Sequence, residues 1–598
     1  MARNSSKSTA GSQAAGATRR LRAGIGIVLV LLLVIGGRLF LVQGLDFGGM
    51  AEAAVKQRTQ VQTLAAARGE IIDSKGNVLA RSVIRYDIVV DQTQNAIGEF
   101  DRKNAATGKL DTISRDQGIA ELAAALGKSD EDVRTAVTGS RTFNYVARTV
   151  TPDVNDAVTK LAIPGIYSRP TTQRVYPFGA VAGGVVGFLG ADGTPLAGLE
   201  QTMDSKLQGK DGQRSFQIGA DGARIPYAPA QETPAQDGQS VKLSIDSDIQ
   251  WYAQQAIQSQ VDKVHAEWGN VVVVEVKTGR IIAMADSNAP DPNKPGATAA
   301  KDRGVRSVTA AYEPGSTEKM ITAASLIQTG KATALEHVVV PPTYTINGQT
   351  FTDAFDHGYE NRTLAGIVGF SMNTGTVMLG SRLTKQQRYD WLRRFGIGQR
   401  TGIELPGEGS GILATPDKWD GRQEYTVLFG QGVAQTTLQT AMAYQAIANN
   451  GVRLKPRLVD AYVDPDGTEH PVPTAPGTEV VSPKTAQSVK DILESTVTDG
   501  EVKEAKIDGY RVGAKTGTAE SPADNGGGFD GYTASLVGMA PMDNPKYVVV
   551  AVVQRPQGSI YGITNGPVFT SVMSQVLRAN NVAPSTGKPP HLPQFFDK

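Results

Sequence analysis

The stretch "YEPGSTEKMITAASLIQ" (Tyr312–Gln328) decides how this chain is read. Its second half repeats apolar residues at helical spacing, and Pro314-Gly315 marks the turn before them. Ser316 would open that helix, with Lys319 three residues later on the same face. A serine there can simply cap the helix, and a lysine there can be a solvated charge. If Ser316 is instead a nucleophile, it needs a base. A lysine of ordinary pKa is neutral about once in 2,500 times at pH 7, a cost of roughly 4–5 kcal/mol. Burial and a second nearby cation would remove much of that cost. Glu318, inside the motif, should point away from the Ser316–Lys319 face and is expected to be solvated.

A second lysine is therefore expected, and the tripeptide Lys-Thr-Gly occurs twice. In "VEVKTGRII" it lies between two β-prone runs, where Gly279 suits a tight hairpin turn. In "YRVGAKTGTAES" it provides Lys515, Thr516, Gly517 and Thr518 on a predicted strand. Between the serine and this second copy, "GFSMNTGTV" provides Ser371-Met372-Asn373. S-x-x-K, S-x-N and K-T-G, in that order, are a signature shared by class A β-lactamases and penicillin-binding proteins. The Lys277 copy precedes Ser316 and fails on order. A Ser-His-Asp site fares worse, because there is no G-x-S-x-G elbow and no histidine close to a candidate serine.

The totals limit the alternatives. At 598 residues the chain can form two to four domains. With 60 basic and 59 acidic residues, it has no global attraction to nucleic acid. Without cysteine there can be no disulfide, thiolate metal site, cysteine nucleophile or lipoprotein anchor. The five histidines are scattered without ligand spacing, so neither a metal nor a cofactor is expected.

The run "AGIGIVLVLLLVIGGRLFLV" (Ala23–Val42) matches a bilayer core of about 30 Å. Arg3, Lys7, Arg19, Arg20 and Arg22 precede it without an acid, which places the N-terminus in the cytoplasm. A cleaved signal peptide would need the distant A-x-A at Ala51–Ala53, so an uncleaved anchor is the better reading. Beyond it, "RGEIIDSKGNVLARSVIRYDIVVD" reads as strands around a Ser-Lys-Gly-Asn turn. "YAPAQETPAQDGQS" (Tyr227–Ser240) reads as a linker, and Asp246/Ser247 as a helix start.

With these motifs the chain resembles a class B penicillin-binding protein of the division, FtsI-like, type. "RGEIIDSKGNVLA", "RVYPFG", "GLEQTMDSKLQG", "GIELPGE" and "FGQGVAQTTLQTAMAYQAIANNG" carry the likeness over roughly residues 60–580. The resemblance implies a membrane-anchored α+β multidomain protein. Residues 1–22 would be a cytoplasmic tail, 23–43 a single transmembrane helix and 44–239 a β-rich pedestal of the dimerisation type. Residues 240–580 would form the penicilloyl-serine-transferase domain, a five-stranded antiparallel sheet flanked by helices, and 581–598 a flexible tail. Ser316 would be the nucleophile toward the D-Ala–D-Ala bond of a peptidoglycan stem peptide, Lys319 its base and Ser371 the proton donor to the leaving nitrogen. Asn373, Lys515, Thr516, Gly517 and Thr518 would bind substrate, and the Ser316 and Thr518 N–H groups would form the oxyanion hole. β-Lactams would acylate Ser316. A SEDS-family glycosyltransferase and divisome membrane proteins would be partners.

A β-lactamase of class A also needs an E-x-x-x-N segment, and none lies between Asn373 and Asn449. A bifunctional relative would carry a glycosyltransferase domain after the anchor, and a β-lactam-sensing receptor a larger cytoplasm-facing segment. A non-catalytic scaffold would not be expected to keep Ser316, Lys319, Ser371, Asn373 and Lys515 together. The short tail and compact first domain favour the septal over the elongation type.

Overall fold

The computed structural model describes residues 11–41, 50–94, 98–104, 107–217, 219, 225–226, 231–523 and 526–597. Residues 1–10 of the expected cytoplasmic tail, 42–43 of the expected span and 227–230 of the expected linker lie outside them. The chain divides into two compact units, Met1–Ala66 with Lys210–Gln236, and Ala67–Gly209 with Asp237–Lys598.

In the smaller unit, the helix Gly11–Leu39 contains the exposed stretch Thr18–Leu39, whose most apolar 18 residues have a mean hydropathy of 2.0. From Ala23 to Gly37 this helix carries no polar side chain on any face, and the 22 residues of the stretch at 1.5 Å each span about 33 Å, enough to cross a bilayer. The same unit holds a three-stranded antiparallel sheet of Thr59–Leu64, Gly212–Gln217 and Gln231–Thr233. The segment expected to be a linker thus supplies a strand.

In the larger unit, α1 (Ser247–Lys263) starts at Asp246, whose carboxylate accepts from Asp248 N and Ile249 N. The hairpin β1 (Trp268–Glu275) and β2 (Ile281–Asp286) follows. Helices α2 (Lys319–Gln328), α3 (Leu364–Gly369), α4 (Asn373–Gly380), α5 (Thr437–Ala448) and α6 (Pro483–Thr498) come next. Strands β3 (Gly513–Pro522), β4 (Phe529–Ala540) and β5 (Tyr547–Gln554) and helix α7 (Gly566–Ala579) complete the domain. The five strands form one antiparallel sheet in the order β2-β1-β5-β4-β3. The unbroken valine runs of β1 and β5 follow from burial on both faces. Val271, Val273, Val549 and Ala551 pack with Ile257 of α1 and Phe569 of α7. Val272, Val274, Val548 and Val550 pack on the other side with Met442 and Tyr444 of α5. Each fully buried valine of this kind contributes about 1.5–3 kcal/mol.

A seven-stranded sheet includes strands from both sides of the expected 239/240 boundary. Ser240–Leu243 pairs in parallel with Ile71–Ile72 and antiparallel with Val459–Val463. The Ser-Lys-Gly-Asn turn is organised by Asp73, which accepts from Lys75 N, Asn77 N and Ser247 Oγ. Nearby, the fully buried Glu200 carboxylate accepts from Arg68 Nε and Arg174 Nε, both at 2.7 Å. Removing one partner of such a buried group typically costs about 3–5 kcal/mol.

Within the 581–598 segment, expected to be a flexible tail, residues 593–596 make defined contacts. Pro593 O accepts from Thr363 Oγ1 at 2.6 Å, and Gln594 is buried. A Cβ on Gly366 or Gly369 would lie 2.0 or 2.1 Å from Gln594 atoms, so two glycines of α3 make its seat. The Arg362 guanidinium is sandwiched between Phe595 at 3.8 Å and Phe370 at 4.0 Å, and Phe596 stacks on His337. Composition suggests disorder there because it counts the tail's residues and not the groove that receives them.

Candidate active site

The turn before α2 brings two chain segments unusually close. Gly315 has φ +56, and a Cβ there would lie 2.6 Å from Thr518 O. Ser316 belongs to a 3-10 turn, Gly315–Glu318, so α2 begins at Lys319 and not at the serine. Side chains three apart eclipse in a 3-10 turn, which keeps Ser316 and Lys319 on one face. The Ser316 side chain caps no helix and lines a cleft of about 520 Å³. Ser371, Asn373, Thr516, Thr518 and Glu501 share that lining.

Lys319 and Lys515 lie behind it, both buried. Lys319 Nζ donates to Ser371 O, to Asn373 Oδ1 at 2.8 Å and to Ser371 Oγ at 3.4 Å. Lys515 Nζ donates to Ser371 Oγ at 2.9 Å. Burial first, and the Lys515 ammonium second, push Lys319 down to about 7, against the pull of Asp353 and Glu501. The cost of a neutral lysine is therefore removed by the two means anticipated from the sequence. Glu318 corrects an expectation. It does point away from this face, but into the core, where it is 1% exposed. Burial pushes it up to about 8, which favours the neutral acid.

Ser371 has φ +58, a left-handed conformation that costs a non-glycine residue about 1–2 kcal/mol. It is held by Ser371 N donating to Val368 O and Met372 N to Ile367 O. Asp353 fixes the start of α4 by accepting from Asn373 N, Thr374 N and Thr374 Oγ1, with His357 Nε2 2.9 Å away. On β3, a Cβ on Gly517 would lie 2.4 Å from Pro314 O, so only glycine fits beneath the Ser316 turn. Thr518 Oγ1 accepts from Gly562 N at 3.1 Å. The structure thus brings together Ser316, Lys319, Ser371, Asn373 and Lys515–Thr518. It leaves Lys277 on the β1–β2 turn, with Nζ donating to Asn449.

Comparison with known proteins gives the family of the chain. The profile of the penicillin binding protein transpeptidase domain matches residues 269–574, and that of the penicillin-binding protein dimerisation domain residues 63–243. The chain belongs to the class B penicillin-binding proteins. This penicillin-binding protein is 34% identical to PbpB of Mycolicibacterium smegmatis over 98% of its length and 94% of the relative's. It is 31% identical to the peptidoglycan D,D-transpeptidase FtsI of Escherichia coli, over 94% and 91% of the two chains. Among solved structures, a peptidoglycan synthetase from Bifidobacterium adolescentis superposes with a TM-score of 0.73 at 33% identity, covering 90% of this chain and 100% of the other. Penicillin binding protein 3 from Mycobacterium tuberculosis, complexed with ampicillin, gives 0.69 at 29% identity, with coverage of 90% and 100%.

Two site residues of this penicillin-binding protein escaped the sequence reading. Glu501 accepts from Lys515 Nζ at 2.9 Å and from Thr516 Oγ1 at 3.0 Å. Burial pushes its pKa up, but the Lys515 charge and these hydrogen bonds outweigh that and leave it lowered. Asp353 holds the S-x-N turn from twenty residues away. Neither sits in a motif, and only their position opposite a lysine and a helix start marks them.

Proposed function

We propose that this protein is a peptidoglycan D,D-transpeptidase that works through a serine acyl-enzyme in septal wall synthesis. The observation that carries the reading is the pair of buried lysines converging on Ser371 Oγ behind a cleft lined by Ser316. Lys319 takes the proton as Ser316 Oγ attacks the carbonyl of the terminal D-Ala–D-Ala bond. Ser316 N–H and Thr518 N–H stabilise the oxyanion, where one lost donor typically costs about 3–4 kcal/mol. Ser371, held by Lys515, passes a proton to the departing nitrogen, the C–N bond breaks and D-Ala leaves. An amine of a neighbouring strand then attacks the ester, returns its proton through the same groups and frees Ser316 with a new cross-link. Asn373 binds the substrate amide, and Thr516 and Thr518 its terminal carboxylate. Edge strand β3 offers its free backbone groups to an extended peptide. A β-lactam follows the first half of this path and stays attached to Ser316.

On this reading the apolar helix anchors the chain with its N-terminus in the cytoplasm, residues 44–239 act as the pedestal and 240–580 as the transpeptidase domain outside the membrane. The partners are a SEDS-family glycosyltransferase and divisome membrane proteins. Labelling with a fluorescent penicillin tests the core of it. We expect a covalent, slowly released adduct on the full chain and none on Ser316→Ala. Label on Ser316→Ala would refute the nucleophile, and rapid turnover on the wild type would point to a β-lactamase. Enrichment of a fluorescent fusion along the side wall in place of midcell would overturn the septal role.

A further inference from the structure

Lys319 and Lys515 are both buried, both reach Ser371 Oγ, and two ammonium groups that close repel each other. The proposed chemistry works only if Lys319 is the neutral one of the two. The partners of the two lysines differ in charge. Lys319 donates only to neutral oxygens, those of Ser371 and Asn373. Lys515 forms an ion pair with Glu501 at 2.9 Å, and the same carboxylate oxygen accepts from Thr516 Oγ1. The backbone holds Glu501 there, since its N–H donates to Gly369 O at 3.0 Å. A Cβ on the preceding Gly500 would lie 2.6 Å from that same carbonyl, so the approach depends on glycine. Asp353 is the other charged group facing Lys319, and it is engaged by Asn373 N, Thr374 and His357.

We propose that Glu501 is a positioning residue for acyl transfer. As the sole carboxylate in contact with either lysine among the described residues, it fixes the proton on Lys515 and leaves Lys319 as the base for Ser316. This rests on the transpeptidase reading above. Glu501 touches neither Ser316 nor the leaving nitrogen's proton donor in the structure and acts through Lys515.

The test is the pH profile of acylation by a fluorescent penicillin, on the full chain in detergent, for wild type, Glu501→Gln and Glu501→Asp. In the wild type, the acid limb lies near the Lys319 value of about 7. Without the negative charge the lysine pair gives up its first proton more easily, so the limb of Glu501→Gln moves about one pH unit lower. Its plateau also falls about twofold, because the remaining proton is now shared between the two lysines. Glu501→Asp keeps the charge and so keeps the wild-type limb. An unmoved limb with a lower plateau is a packing effect and overturns the proposal. A moved limb with an unchanged plateau overturns it as well, since proton placement then does not need Glu501. Ser316→Ala separates the two levels of argument. Label on that variant defeats the underlying reading, whatever the Glu501 profiles show.

Discussion

The two Lys-Thr-Gly copies share three letters and almost nothing else. At the β1–β2 turn, Lys277 is exposed, Thr278 Oγ1 donates to Glu275 Oε2 at 2.5 Å and Gly279 has φ +70. On β3, Lys515 is fully buried, Thr516 faces the cleft and Gly517 lies against the Ser316 turn. In the first copy glycine is needed for its positive φ as well as for the closeness of Lys455, and in the second for the closeness of another chain segment alone. A motif is therefore not a property of its letters. Charge and hydrogen-bonding groups gain chemical use where burial strips away water and neighbours fix their direction.

The widest separation between the copies is expected from the lysines. Lys515→Ala should slow penicillin acylation by about 10²–10⁴, while Lys277→Ala should leave it within about twofold, both read from labelling rates. Equal effects would erase the distinction. The glycines come next. Gly517→Ala displaces the Ser316 turn, and a shift near 1 Å costs about 10² in rate. Gly279→Ala meets Lys455 O at 2.6 Å in a left-handed conformation and should cost about 1–3 kcal/mol of stability, seen in the melting temperature, with acylation per folded molecule unchanged.

A pH series sharpens the contrast further. Lys319 must be neutral to accept the Ser316 proton, and its value is about 7. Acylation should therefore fall as pH drops, by about tenfold between pH 8 and 6. Lys277→Ala should not move that limb. A rate that rises on acidification would refute Lys319 as the base. The smallest effect is expected away from both copies. Phe595→Ala removes one face of the Arg362 sandwich that backs Phe370, and should cost about 1 kcal/mol and two- to threefold in acylation.

Much of this site is legible in the sequence because its chemistry is local. Ser316 and Lys319 are three apart, Ser371 and Asn373 two apart, and Lys515 to Thr518 contiguous, so each piece is set by one turn or one strand. The strand, turn and strand around Lys277, the Asp246 cap of α1 and the apolar span are equally local, because turn chemistry, capping and length need only neighbours along the chain. Other features were hidden or misread. Glu318 was assigned to solvent because a helix face says which way a side chain points but not what lies there. The tail at 593–596 was assigned to disorder, although two glycines and an arginine more than 200 residues away form its seat.

The sequence by itself determined the parts: the motifs and their order, the strand and helix periods, the apolar span and the absence of thiols. Only the tertiary structure decided how they act together. Glu501 lies opposite Lys515, Asp353 caps the turn that carries Asn373, and two lysines nearly 200 residues apart share one serine hydroxyl. The physical reason is that a pKa, an ion pair or a close approach is set by whatever stands within a few ångströms, and distance along the chain does not measure that.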